Sequence, residues 1–273
     1  MSNTSTGFQY GVSLYSFTDD LGTVMGLEDA FAAIADLGAT GIELLGEAHV
    51  PGYPAPTTAW MDRWFALLDQ YRLQPTNYGS WLDTRLRLSR PMTALEGAED
   101  LARDIRLAKQ LGFQFVRPKI GVVSFDLVPD PIWEEAIERC LELAEQSDIV
   151  ICPEIHAPTP IKHPVVDAYL RFIERTGTRH FGLLLDTGIF QDRPLPYWPG
   201  ETPEMRRDFL NGIAVDPQDF LAIARHVVFI QAKFHAIDDQ LEDQNIPWQR
   251  VLPVLKPAGY TGYLSSEIGR AHV

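Results

Sequence analysis

Six polar side chains stand out because of the company they keep. Glu154 and His156 sit in IVICPEIH, Asp186 in FGLLLDTGIF, Gln231 and Lys233 in VVFIQAKF, and Glu267 in YTGYLSSE. Each of these runs is otherwise apolar enough to be a buried β-strand, where an ionisable side chain is costly unless it is paired or bound to a cation. Three carboxylates brought together would repel, and a divalent cation is the natural compensation. The oxygen-rich donor set suits Mn²⁺ first, with Mg²⁺, Co²⁺ or Zn²⁺ as alternatives. Residues two apart on a strand face the same way, so His156 shares the face of Glu154 and Lys233 that of Gln231. An imidazole titrates near neutral pH and suits a general base, and an ammonium suits an oxygen gaining negative charge.

Taken singly, each residue also has a structural reading. Glu154 could pair with Arg117 or Lys119, Asp186 could cap the turn that Thr187 and Gly188 begin, and Glu267 could be a solvated charge near the chain end. A wider ring of substrate-binding candidates comprises Arg117, His235, Trp81, and Arg193, Tyr197 and Trp198 of a proline-rich stretch. The aromatic rings there could stack on a sugar ring. His49, His163, His180 and His226 read as surface or helix-end residues.

Side chains so far apart in sequence need a scaffold that gathers strand ends. The chain alternates β-rich and amphipathic runs throughout its 273 residues. Strands are expected over Phe8–Tyr15, Thr40–Leu45, Thr76–Trp81, Phe113–Ile120, Ile149–His156, Phe181–Phe190, Val227–Phe234 and Tyr260–Glu267. Helices are expected over Leu27–Leu37, Thr57–Tyr71, Thr93–Leu111, from Pro131 onward, Pro164–Arg175 and Ile246–Leu255. Crossovers rather than tight hairpins join the strands, so the sheet is parallel. Without a G-x-G-x-x-G or P-loop motif, a single (β/α)₈ TIM barrel over 1–273 is the economical architecture, and it gathers strand C-termini at one mouth. The stretch 187–215, with prolines at 194, 196, 199 and 203, is expected to be a lid over that mouth. Six residues follow Glu267, so the last helix is expected to be lacking, its flank covered by a neighbouring chain or the sequence cut short.

Lys and Arg number 23 against 37 Asp and Glu, a formal net charge of −14, which argues against nucleic acid as a partner. No run approaches the ~18 apolar residues of a membrane helix. Cys140 and Cys152 read as reduced core residues, the pattern of a cytoplasmic protein.

The Glu, the Asp-Thr-Gly, the polar-x-Lys and the final Glu at successive strand ends resemble the xylose isomerase-like barrels, the sugar isomerase/epimerase superfamily. In its ketose 3-epimerases Glu, Asp, His and Glu hold a divalent metal, which implies Glu154, Asp186, Gln231 and Glu267 here, with Gln where His is expected. The segment from Pro153 to Pro194 and IQAKF, Ile230–Phe234, are similar to the larger subunits of bacterial C-glycoside deglycosidases. That resemblance implies a metal-bound Glu154, His156 as general base, a 3-oxo-glycoside substrate cleaved by β-elimination, and a small β subunit as partner. A homo-oligomer is the other assembly considered. Two further functions remain open. One is a ketose epimerase or isomerase with Glu154 and Glu267 as the proton-transfer pair; the other is a non-catalytic sugar-binding or assembly subunit. An abasic-site endonuclease on this fold needs a histidine-rich zinc site and a basic groove, and seven histidines with a −14 charge argue against it.

Overall fold

Nine short parallel strands surround one axis in a computed structural model that describes residues 7–80, 90–118, 130–197 and 199–268. In chain order they are β1 (Gln9–Ser13), β2 (Gly41–Leu45), β3 (Gln74–Ser80), β4 (Phe115–Pro118), β5 (Val150–Ile151), β6 (Glu154–Ile155), β7 (Leu183–Asp186), β8 (Val227–Phe234) and β9 (Tyr263–Ile268). Their order in the sheet is β5-β4-β3-β2-β1-β9-β8-β7-β6. The two ends of that order are halves of one strand, interrupted at Pro153, which has no N–H to donate. β5 pairs with β4 and β6 with β7, while Cys152 N donates to Val116 O at 2.9 Å and Leu184 N to Pro153 O at 3.1 Å. The ring therefore closes, and the eight expected strands are present as a TIM barrel.

Helices clothe the outside for readable reasons. Ala94–Gln110 opens with a reciprocal capping box between Thr93 and Glu96 and buries Leu101, Ile105 and Ala108. Pro164–Thr176 starts on the His163 side chain with Pro at its first turn, and ends on Gly177 at φ +60°. Trp64, of Thr58–Tyr71, packs edge-on against Phe31, of Leu27–Asp36, at 5.3 Å between ring centroids.

Three stretches depart from expectation. The helix from Pro131 is two helices, Trp133–Glu138 and Leu141–Ser147. The strand expected over Phe181–Phe190 stops at Asp186, and Thr187–Phe190 turns as a buried 3₁₀ helix because the Asp186 side chain caps it. The 187–215 stretch is not extended loop throughout: Pro203–Met205 is helical, and Leu195, Leu210 and Val215 are buried. Arg206 ties it down through Leu195 O, Pro196 O and Glu201. An apolar groove of about 740 Å³ runs over the outer face of β8, β9 and β1, with Leu37, Trp248 and Leu252 at its sides.

The barrel interior is layered, and the layering positions the polar residues. Its floor is aromatic and apolar: Phe229 lies 5.8 Å from Phe115 and 6.5 Å from Tyr263, with Cys152 and Leu184 packed against them. Gly41 makes room for Tyr263, whose ring would lie 2.5 Å from any Cβ at that position. Two and four residues further along the strands, where Gln231 pairs with Ser265 and Lys233 with Glu267, the interior turns polar.

Candidate active site

At the C-terminal ends of the strands, polar side chains form a connected cluster. Lys233, on β8, reaches two carboxylates at once: its Nζ contacts Glu267, on β9, and lies 3.2 Å from Asp186 Oδ2, on β7. Burial works against the Lys233 charge, but Asp186, Glu267 and Glu154 outweigh it and hold the ammonium well above its ordinary value. Asp186 is also the turn cap its motif suggested, its Oδ1 accepting from Gly188 N at 2.7 Å. Thr187 Oγ1 accepts from Lys233 N at 2.9 Å, so Asp-Thr-Gly braces both the carboxylate and the neighbouring strand. Glu267 is not a solvated chain-end charge, being only 7% exposed.

A second ion pair joins β4 and β6. Arg117 Nη1, on β4, is 3.3 Å from Glu154 Oε2, on β6, which is the partner expected for Glu154 as an ion pair. Glu154, Glu43 and Glu267 keep the guanidinium charged against the opposing effect of its burial.

Between the two pairs sits a residue that the sequence reading passed over. Glu43, on β2, is 1% exposed and accepts from Gln231 Nε2 at 2.6 Å, Ser265 Oγ at 2.8 Å and Asn77 Nδ2 at 3.0 Å. Burial first, and the Glu267 charge second, push its carboxyl up to about 7, against Arg117 and the hydrogen bonds from Ser265 and Asn77. The sequence carries the signal, since Glu43 is an ionisable residue in the apolar strand GIELL. Gln231 spends its other amide hydrogen on Glu267 Oε2 at 3.1 Å, and its own carbonyl oxygen is buried with no hydrogen-bond partner.

The remaining candidates fall elsewhere. His156 follows β6 half-buried, its Nδ1 2.5 Å from Ala157 O. His235 follows the end of β8, its backbone N donating to Asp243 Oδ2 at 2.6 Å. Arg193 is directed to Gln244 O at 3.4 Å, and Tyr197 is 76% exposed, so neither joins the cluster. Trp81, Trp198 and Lys119 lie outside the described residues. His49 ends the short helix Gly46–His49, and His163 caps Pro164–Thr176, both helix-end positions. Cys140 and Cys152 are free and buried.

The cluster thus holds four carboxylates, Glu43, Glu154, Asp186 and Glu267, against two cations, Arg117 and Lys233. Among the described residues no three His, Cys, Asp or Glu side chains lie close enough to enclose an ion as they stand, with Lys233 between two of them. The donor chemistry nevertheless fits a hard divalent cation: carboxylate oxygens of Glu154, Asp186 and Glu267, and the unpartnered Gln231 Oε1.

Known proteins share the barrel fold. The family model described as a xylose isomerase-like TIM barrel matches residues 31–272. The 3'-dehydrocarminate deglycosidase alpha subunit of Microbacterium sp is 28% identical, the match covering 94% of this chain and 87% of the relative. A C-glycoside deglycosidase alpha subunit of Arthrobacter globiformis is 26% identical over 96% of this chain and 85% of its own length. Among solved structures, L-ribulose 3-epimerase superposes with a TM-score of 0.64 at 18% identity, covering 97% of this chain and 83% of that one. The named relatives are sugar-modifying enzymes, and this chain belongs to the xylose isomerase-like TIM barrel family.

Proposed function

We propose that the protein is an enzyme that removes the proton α to the carbonyl of a 3-oxo-glycoside and releases the aglycone by β-elimination, with a divalent cation, Mn²⁺ first, at the barrel mouth. The observation that carries this reading is the connected set of buried Asp186, Glu267 and Gln231 with the half-buried Lys233, flanked by the Arg117–Glu154 pair, with His156 two residues beyond Glu154. The alpha-subunit relatives support the substrate class and suggest that a second, smaller subunit completes the assembly.

Glu154, Asp186, Gln231 and Glu267 would hold the cation. When bound, it supplies Lewis-acid stabilisation to an oxygen that gains negative charge. His156 takes the α-proton, a role for which an imidazole nitrogen is suited. The C–H electron pair moves onto the carbonyl oxygen, where the Lys233 ammonium stabilises it. As the carbonyl re-forms, a carbon–carbon double bond appears and the bond to the aglycone breaks. The aglycone leaves with that electron pair and is then protonated. The aromatic floor of Phe115, Phe229 and Tyr263 closes the far end of the barrel and keeps this chemistry at one mouth. The test is His156→Ala: it should abolish release of the aglycone from a 3-oxo-glycoside while Mn²⁺ still binds, and retained turnover would reject the role.

A further inference from the structure

Gln231 presents an orientation problem that Glu43 solves. A primary amide can be turned end for end at almost no cost in shape, yet only its carbonyl end can ligate a cation or accept a hydrogen bond. Here both amide hydrogens are committed, one to Glu43 Oε1 at 2.6 Å and one to Glu267 Oε2 at 3.1 Å. Turning the amide round would set its oxygen against two carboxylates and leave the NH₂ group buried without an acceptor. Glu43 is itself fixed by Ser265 and Asn77, both buried. The orientation that results leaves Gln231 Oε1 as a buried acceptor with nothing bound to it.

We infer that Glu43 is a positioning residue: through its hydrogen bond to Nε2 it fixes the Gln231 amide so that the carbonyl oxygen is presented as a neutral ligand to the cation. This rests on the divalent-cation reading of the site proposed above. It also gives a physical role to a glutamine at the position where the family resemblance implies histidine, because a glutamine needs an acceptor on its NH₂ to be a dependable oxygen donor.

The test is Mn²⁺ affinity, measured by calorimetry on the purified full chain and its variants, with thermal unfolding as the check on folding. Glu43→Gln replaces the carboxyl group with an amide that can itself turn end for end, and should weaken Mn²⁺ binding about 10–100-fold, the usual effect of losing an outer-shell partner. Glu43→Asp keeps the charge but shortens the reach, and should lose affinity similarly; unchanged affinity there would mean that Glu43 acts only through its charge, overturning the inference. In the background of Gln231→Glu, a ligand with two equivalent oxygens and nothing to orient, Glu43→Gln should cost no affinity. An equal loss in both backgrounds would also overturn the inference. If the unsubstituted protein binds no Mn²⁺ at millimolar concentration, the cation reading itself fails, and that outcome is distinct from failure of Glu43's role.

Discussion

Replacing Lys233 with methionine tests how the mouth is held together. Met keeps most of the apolar stem and removes the ammonium, leaving Asp186 and Glu267 facing one another in a buried setting. At the effective dielectric of about 20 that suits such sites, one ion pair at the 3.2 Å of Lys233 and Asp186 has a gross attraction of about 5 kcal/mol. The contact with Glu267 adds a comparable amount, and the several kcal/mol needed to desolvate the ammonium offsets much of both. The net loss expected for Lys233→Met at pH 7 is about 3–5 kcal/mol, the range seen when one partner of a buried pair is removed. Urea denaturation at pH 7 and pH 4 reads it, and the loss should shrink at pH 4, where the stranded carboxylates can take up protons. If the pair of acids accepts a divalent cation, Mn²⁺ at a hundred times its dissociation constant should restore about 2.7 kcal/mol to the variant. A loss below about 1 kcal/mol would refute the pairing argument. A full loss with no recovery in Mn²⁺ would leave the pairing intact and count against the cation.

Two further outcomes follow from other parts of the molecule. Burial pushes the Cys140 thiol up to about 11 and the Cys152 thiol higher still, so neither should react with a thiol reagent at pH 8 until the protein is unfolded, when both should. Labelling of either in the native state would contradict their placement. The Arg90 side chain, then the Thr93 backbone and hydroxyl, hold the Glu96 carboxylate well below its ordinary range. Its folded value is the lower one, so its contribution is present above the unfolded value and fades as pH falls. Glu96→Gln should therefore be less stable than the unsubstituted protein at pH 7 and converge with it in acid, as followed by thermal unfolding across pH 2–7.

Much of this was legible because burial makes charged residues conspicuous. Asp186, Lys233 and Glu267 stand in strands too apolar to tolerate them singly, and the barrel that gathers strand ends followed from the alternation of elements. The same rule, applied to GIELL, would have found Glu43; Asn77 and Ser265 are uncharged and stand out less. What the periodicity could not give was how the ammonium of Lys233 would be shared, since that depends on the register of β8 against β7 and β9. Nor did it show that the fifth strand breaks at Pro153 or that the helix after Pro131 is split. The proline-rich segment drew attention to Tyr197 and Arg193 as sugar contacts, but the structure places both outside the cluster, because Arg206 and buried Leu195 and Leu210 fix that segment by its other residues.

Proton abstraction at the mouth is the claim on which the rest of the functional account turns, and solvent exchange reads it without waiting for the bond to the aglycone to break. The protein, supplied with Mn²⁺ and a 3-oxo-glycoside in deuterated buffer, should replace the α-hydrogen of the substrate with deuterium and release the aglycone, both followed by NMR, and His156→Ala should do neither. A substrate that keeps its α-hydrogen and its aglycone in the presence of folded, Mn²⁺-loaded protein would contradict it.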